Sequence, residues 1–131
     1  MEKINFLLEG LCEISLDPFR RIMKETISGE WTIDDYNLYV NFYKDIAIEE
    51  LEDMYQWCKF IDMRRYKISY VLESIRHHLD WCIEKGLVHC IILVSSPIVK
   101  IQMRRCGNQM IPITFFYDED EAYKFLETLY Y

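Results

Sequence analysis

The stretch Phe60-Ile61-Asp62-Met63-Arg64-Arg65-Tyr66-Lys67-Ile68-Ser69 concentrates chemistry-bearing side chains: one carboxylate, three cations, a phenol and an aliphatic hydroxyl within ten residues. Thirty residues on, Ser95-Ser96-Pro97 supplies two hydroxyls at a predicted helix start. Guanidinium donors, hydroxyls and the free N–H groups of a helix N-terminus together suit an anion. Arg64, Arg65, Lys67, Ser69, Ser95 and Ser96 are therefore the candidate ligand or partner contacts, for a phosphate, nucleotide or lipid headgroup. The competing reading leaves the arginines solvated or paired with nearby acids. Ser69 directly precedes an amphipathic run, so it reads as a helix cap before it reads as a phosphoacceptor.

Other polar groups carry less. His77 and His78 are adjacent, so on a helix their side chains diverge by about 100° and do not share a metal. His89 sits within an apolar run, as a core group, an interface residue or a base, and a hydrolase or transferase would need further groups brought to it. Glu49, Glu50, Glu52 and Asp53 read as a solvated face. No catalytic residue, metal site or cofactor is assigned, and neither G-x-x-x-x-G-K-[ST] nor G-x-G-x-x-G occurs. The five cysteines, Cys12, Cys58, Cys82, Cys90 and Cys106, form no C-x-x-C pair, and their apolar surroundings suit small buried hydrophobes in a reducing compartment.

The elements that must position these groups follow from periodicity. Residues 3–9 are a strand or a lead-in closed by Gly10. LCEISL and RIMKETI alternate around Asp17-Pro18 and predict a hairpin. From Thr32, with Asp35 as its capping partner, the period changes, and Ile33, Tyr36, Val40 and Tyr43 fall on one side of a helix starting near residue 33. Tyr39 and Phe42 fall off that stripe, which makes them the interface candidates. A strand at 55–62 leads to the helix SYVLESIRHHLDWCIEKG, with Leu72, Ile75, Leu79 and Cys82 inward and Gly86 past its end. LVHCIILV reads as a central strand buried on both faces. A helix from Pro97 to near Gly107, the strand IPITFFY and a closing helix capped by Asp118 with Glu121 complete the order.

The expectation is a single α/β domain over residues 1–131: one mixed sheet of about five strands with an opening hairpin, covered by about four helices. The chain resembles the SpoIIAA-like group of the STAS fold, small bacterial domains. The resemblance rests on Ser28-Gly29-Glu30-Trp31-Thr32 with Asp35-Tyr36, the strand ending at Ile61-Asp62, IILVSS and FFYDEDEAYKFL, and covers roughly residues 11 to 130. It implies a non-enzymatic regulatory or protein-interaction module with a protein partner. Phosphorylation-driven STAS regulators carry an Asp-Ser-Ser-Gly-like segment after the central strand. Here Met63 to Ser69 stands in its place, and the switch motif is absent.

A net charge of -7 disfavours nucleic acid and anionic membrane surfaces. No run reaches the ~18 apolar residues of a membrane span. The chain reads as cytoplasmic, with a protein partner first, a small anionic ligand second and homo-oligomerisation open.

Overall fold

The computed structural model describes residues 5–67, 69, 71–107 and 110–129. Residues 3–4 of the expected lead-in, Ile68, Tyr70 at the expected helix start and Tyr130 at the expected helix end lie outside that set. The chain forms one α/β sheet of six strands in the order β1(Asn5–Leu8), β2(Cys12–Asp17), β3(Ile22–Gly29), β4(Trp57–Tyr66), β5(Leu87–Leu93) and β6(Ile113–Phe116). The first three strands are antiparallel, and β3 to β6 run parallel.

The lead-in is thus a sixth strand. It pairs Phe6 with Ile14 and Leu8 with Cys12 at the sheet edge. In the hairpin, Cys12↔Ile27, Ile14↔Glu25 and Leu16↔Met23 share one face, as period-2 alternation requires.

Four helical bodies cover the sheet among the described residues. The first comprises α1(Ile33–Phe42), a π-helical turn Tyr43–Ala47 and α2(Ile48–Met54) without interruption. Thr32 and Asp35 form the expected capping box. The buried side is Tyr36, Tyr39, Phe42 and Tyr43, while Ile33 is 51% exposed. The extra residue of the π turn re-aims the helix so that Tyr43, Ala47 and Leu51 remain inward. Glu49, Glu52 and Asp53 face solvent, as the charge run suggested.

Next come α3(Leu72–Glu84), α4(Pro97–Cys106) with Ser96 as cap, and α5(Glu119–Glu127) with Asp118 as cap through the Asp120 N–H. The helices α1 to α4 lie on the face that carries Met23, Trp57, Cys90 and Ile92. The opposite face packs Ile22, Cys58, Phe60, Ile91 and Leu93 against Ala122 and Leu126 of α5. As expected, β5 is buried on both sides.

Candidate functional site

Parallel pairing of Phe60 with Ile91 and Asp62 with Leu93 brings the ends of β4 and β5 together, as anticipated. One element differs. β4 does not stop at Asp62 but continues to Tyr66, pairing Ser28 with Arg65 and Gly29 with Tyr66 after a register shift that sets two residues of β4, Met63 and Arg64, against Ile27 of β3. Arg64 and Arg65 therefore stand on a strand rather than in a loop, because β3 is long enough to template the extension.

The donors expected to hold an anion are largely engaged. Arg64 lies 2.8 Å from Asp62 Oδ2 and 3.1 Å from Glu119 Oε2, and its Nε–H donates to Asp62 Oδ1. Burial works to raise the Asp62 pKa, but the hydrogen bonds from Arg64 outweigh it and hold the carboxyl below its usual value. The Ser95 hydroxyl donates to the Arg64 carbonyl at 2.7 Å, and Ser96 Oγ accepts the Ile98 N–H as the α4 cap. Arg65 and Lys67 are exposed. The arrangement favours pairing of Arg64 with acids over a preformed anion cradle.

Ser69 does not cap α3. Val71 occupies the cap position, and Ser69 lies buried two residues earlier. Its Oγ accepts the Trp31 N–H at 2.8 Å and its hydroxyl donates to the Lys67 carbonyl, while its own carbonyl takes the Gln102 amide at 2.8 Å. One serine thus ties the β4–α3 connection to the start of α1 and to α4. Ser69→Ala would leave the Trp31 N–H without its acceptor, and we expect a loss of about 1–3 kcal/mol in urea denaturation.

Tyr39 and Phe42 are core residues, each 4% exposed, which corrects their reading as interface groups. Phe42 stacks on Phe6 at 4.7 Å between centroids, so the edge strand β1 covers it. Tyr39 serves a buried ionic cluster. Glu25 and Lys59, each 2% exposed, pair at 2.8 Å between β3 and β4. The Tyr39 and Tyr43 hydroxyls both donate to the Glu25 carboxylate. Lys59 Nζ also donates to Tyr39 Oη at 2.8 Å and to His78 Nε2 at 2.8 Å, and lies 4.3 Å from the Tyr43 ring centroid.

Charge is balanced within the cluster. Burial opposes the Lys59 ammonium, yet the Glu25 carboxylate, through its charge and its hydrogen bond, outweighs it and holds its pKa above the usual lysine value. Burial pushes the Cys82 thiol up to about 12, so it is neutral and Glu25 is the counter-ion. Burial and then Glu25 raise both phenols well above their ordinary range, which keeps them protonated as donors.

Burial, followed by the Lys59 charge, depresses His78 and keeps it neutral. The unfolded chain takes up this proton near pH 6.5 and the folded chain does not, so stability is full above that pH and is lost as pH falls through it. Between pH 7 and 5 we expect the wild type to lose roughly 2 kcal/mol more than His78→Gln, measured by denaturation at each pH.

The spacing that disqualified His77 and His78 as joint ligands thus divides them between solvent and core. Among the described residues, no group of three or more His, Cys, Asp or Glu is placed to hold a metal ion. His89 Nε2 meets Thr114 Oγ1 at 2.9 Å, beneath Phe125 of α5. All five cysteines are free and buried. The Glu25–Lys59 cluster escaped the sequence reading, although its signal was present. Glu25 shares parity with Met23 and Ile27, and Lys59 shares parity with Trp57 and Ile61, so alternation points opposite charges inward on neighbouring strands.

The outward side of α4 has a composition of its own. Ile98 and Ile101 are 61% and 50% exposed, with Arg104 and Arg105 also exposed. The helix carries three cations and no acid in a chain of net charge -7. Lys100 and Arg104 stand over the Phe115 ring, at 5.7 Å each. No protein-family model matches the chain, and neither does any curated protein.

Proposed function

We propose that the chain is a non-enzymatic, STAS-like regulatory module that works through protein contact, with α4 and the adjoining β4 end as the contact surface. The carrying observation is the outward face of α4, where two exposed isoleucines one helical turn apart stand beside exposed arginines on an otherwise acidic protein. Apolar groups rimmed by one sign of charge suit a partner segment with apolar anchors and acidic flanks. The Ser95–Arg64 and Gln102–Ser69 hydrogen bonds fix α4 against the end of β4 and the start of the connection to α3.

This reading keeps the β4 end among the expected contact surfaces and moves the helical contribution from the first helix to α4. The small-anion alternative would require Arg64 to leave Asp62 and Glu119, which makes it the weaker of the two. We expect Ile98→Asp with Ile101→Asp to keep the native fold by circular dichroism and to lose a partner that the wild-type bait captures specifically, a drop in affinity of at least tenfold. A partner retained undiminished by the double variant would contradict the assignment, as would turnover of a substrate in place of any partner.

A further inference from the structure

Between the sheet and helices α1, α3 and α4 lies a cavity of about 80 Å³, partly open to solvent, whose walls are almost wholly apolar. Ile75 and Leu79 of α3, Met103 of α4 and Ile113 of β6 form much of its wall, and Glu25, Tyr39, Lys59 and His78 form its polar end. We propose that this cavity binds the end of a small, neutral, linear molecule, an alkyl chain carrying one hydroxyl or carbonyl group. The proposal is independent of the protein-contact reading.

Three observations select that chemistry. The first is saturation: Glu25, Lys59, Tyr39 and His78 already satisfy one another. Water needs two to four polar partners to settle in a cavity, and walls whose polar groups are engaged leave the space to apolar atoms. The second is charge. Glu25 and Lys59 cancel, and His78 is neutral, so a charged ligand group would sit at depth without a counter-ion, at a cost that a neutral group avoids.

The third is Tyr36, which also lines the cavity. Its hydroxyl meets that of Tyr66 at 3.4 Å, well beyond the usual 2.7–2.8 Å of an O–H···O bond. A ligand hydroxyl or carbonyl would give it a better partner. The size fits a chain end: an apolar cavity of about 150 Å³ takes benzene, so the smaller space here suits a few methylenes, with the open side passing the remainder.

The test is titration of the full chain with primary alcohols from butan-1-ol to octan-1-ol, read from the methyl NMR signals of Ile75, Met103 and Ile113. Affinity should rise about fourfold per added methylene and level off once the chain outgrows the cavity. Octanoate should bind at least about tenfold more weakly than octan-1-ol. Tyr36→Phe should weaken every alcohol by about fivefold and leave the chain-length slope intact. Leu79→Trp, filling the cavity, should abolish binding, and Ile75→Trp at the half-buried lip provides a second filling variant should the first fail to fold. Absence of saturable binding, undiminished affinity in a folded filling variant, or octanoate binding as tightly as octan-1-ol would overturn the proposal. Unchanged affinity in Tyr36→Phe would overturn the head-group assignment.

Discussion

Lys59→Met is expected to destabilise the chain by about 3–5 kcal/mol, as a fall in the urea midpoint at unchanged slope. The substitution removes the ammonium 2.8 Å from Glu25 and leaves a carboxylate 2% exposed with phenol donors but no counter-charge. Its desolvation is then no longer offset. Removing both charges, as Glu25→Leu with Lys59→Met, should recover much of the loss, because a buried pair is often little better than apolar groups of similar volume. Recovery should remain incomplete while Tyr39 and Tyr43 keep hydroxyls that have lost their acceptor, and adding Tyr39→Phe and Tyr43→Phe should restore more. Additive losses across this series would show that the four groups do not act as a unit.

The second large effect is expected at a position with no side chain. Gly86 follows α3 with φ of +103°, a conformation that L side chains rarely adopt. A Cβ built there would stand 2.1 Å from the Tyr55 carbonyl oxygen and 3.1 Å from its carbon. Tyr55 has no freedom to yield. Its φ of 67° and the hydrogen bond from the Gln56 N–H to the Met54 carbonyl define a tight turn, and the Trp57 N–H is tied back to the Gly86 carbonyl. Gly86→Ala therefore combines backbone strain with a backbone clash at the entry to both β4 and β5, and we expect a loss of at least about 3 kcal/mol. Gly10→Ala is the internal comparison: its φ is also positive, at 77°, but nothing lies within 4 Å of the added methyl. If the two substitutions cost the same, strain alone would account for the effect and the close approach to Tyr55 would carry no weight.

The mixed sheet was legible because alternation in β2 and β3, the unbroken apolar run of β5 and the cap signals at Thr32, Ser96 and Asp118 each act locally and agree with one another. The misread positions were set by tertiary partners. Periodicity on α1 selects Ile33, Tyr36, Val40 and Tyr43, but the side that faces the sheet is decided by β1 covering Phe42 and Glu25 receiving Tyr39. The π turn shifts the register in a way that no spacing rule at 3.6 residues anticipates. Ser69 had the composition of a cap, and its acceptor duty went instead to Trp31, 38 residues away. Arg64 meets Ser95 through its backbone carbonyl alone, and the sequence does not place Glu119, more than fifty residues on, against its guanidinium. Local chemistry identified the groups, and long-range pairing decided what they do.

The contact surface admits a direct mapping. A photo-crosslinking side chain placed at Ile101 on the outward face of α4, and separately at Glu13 on the exposed side of the hairpin, should be exposed to a captured partner in parallel. Crosslinks are expected from position 101, reduced by Arg104→Glu with Arg105→Glu, and none from position 13. Crosslinks from position 13 with none from 101 would place the partner on the opposite side of the sheet and contradict the assignment of α4.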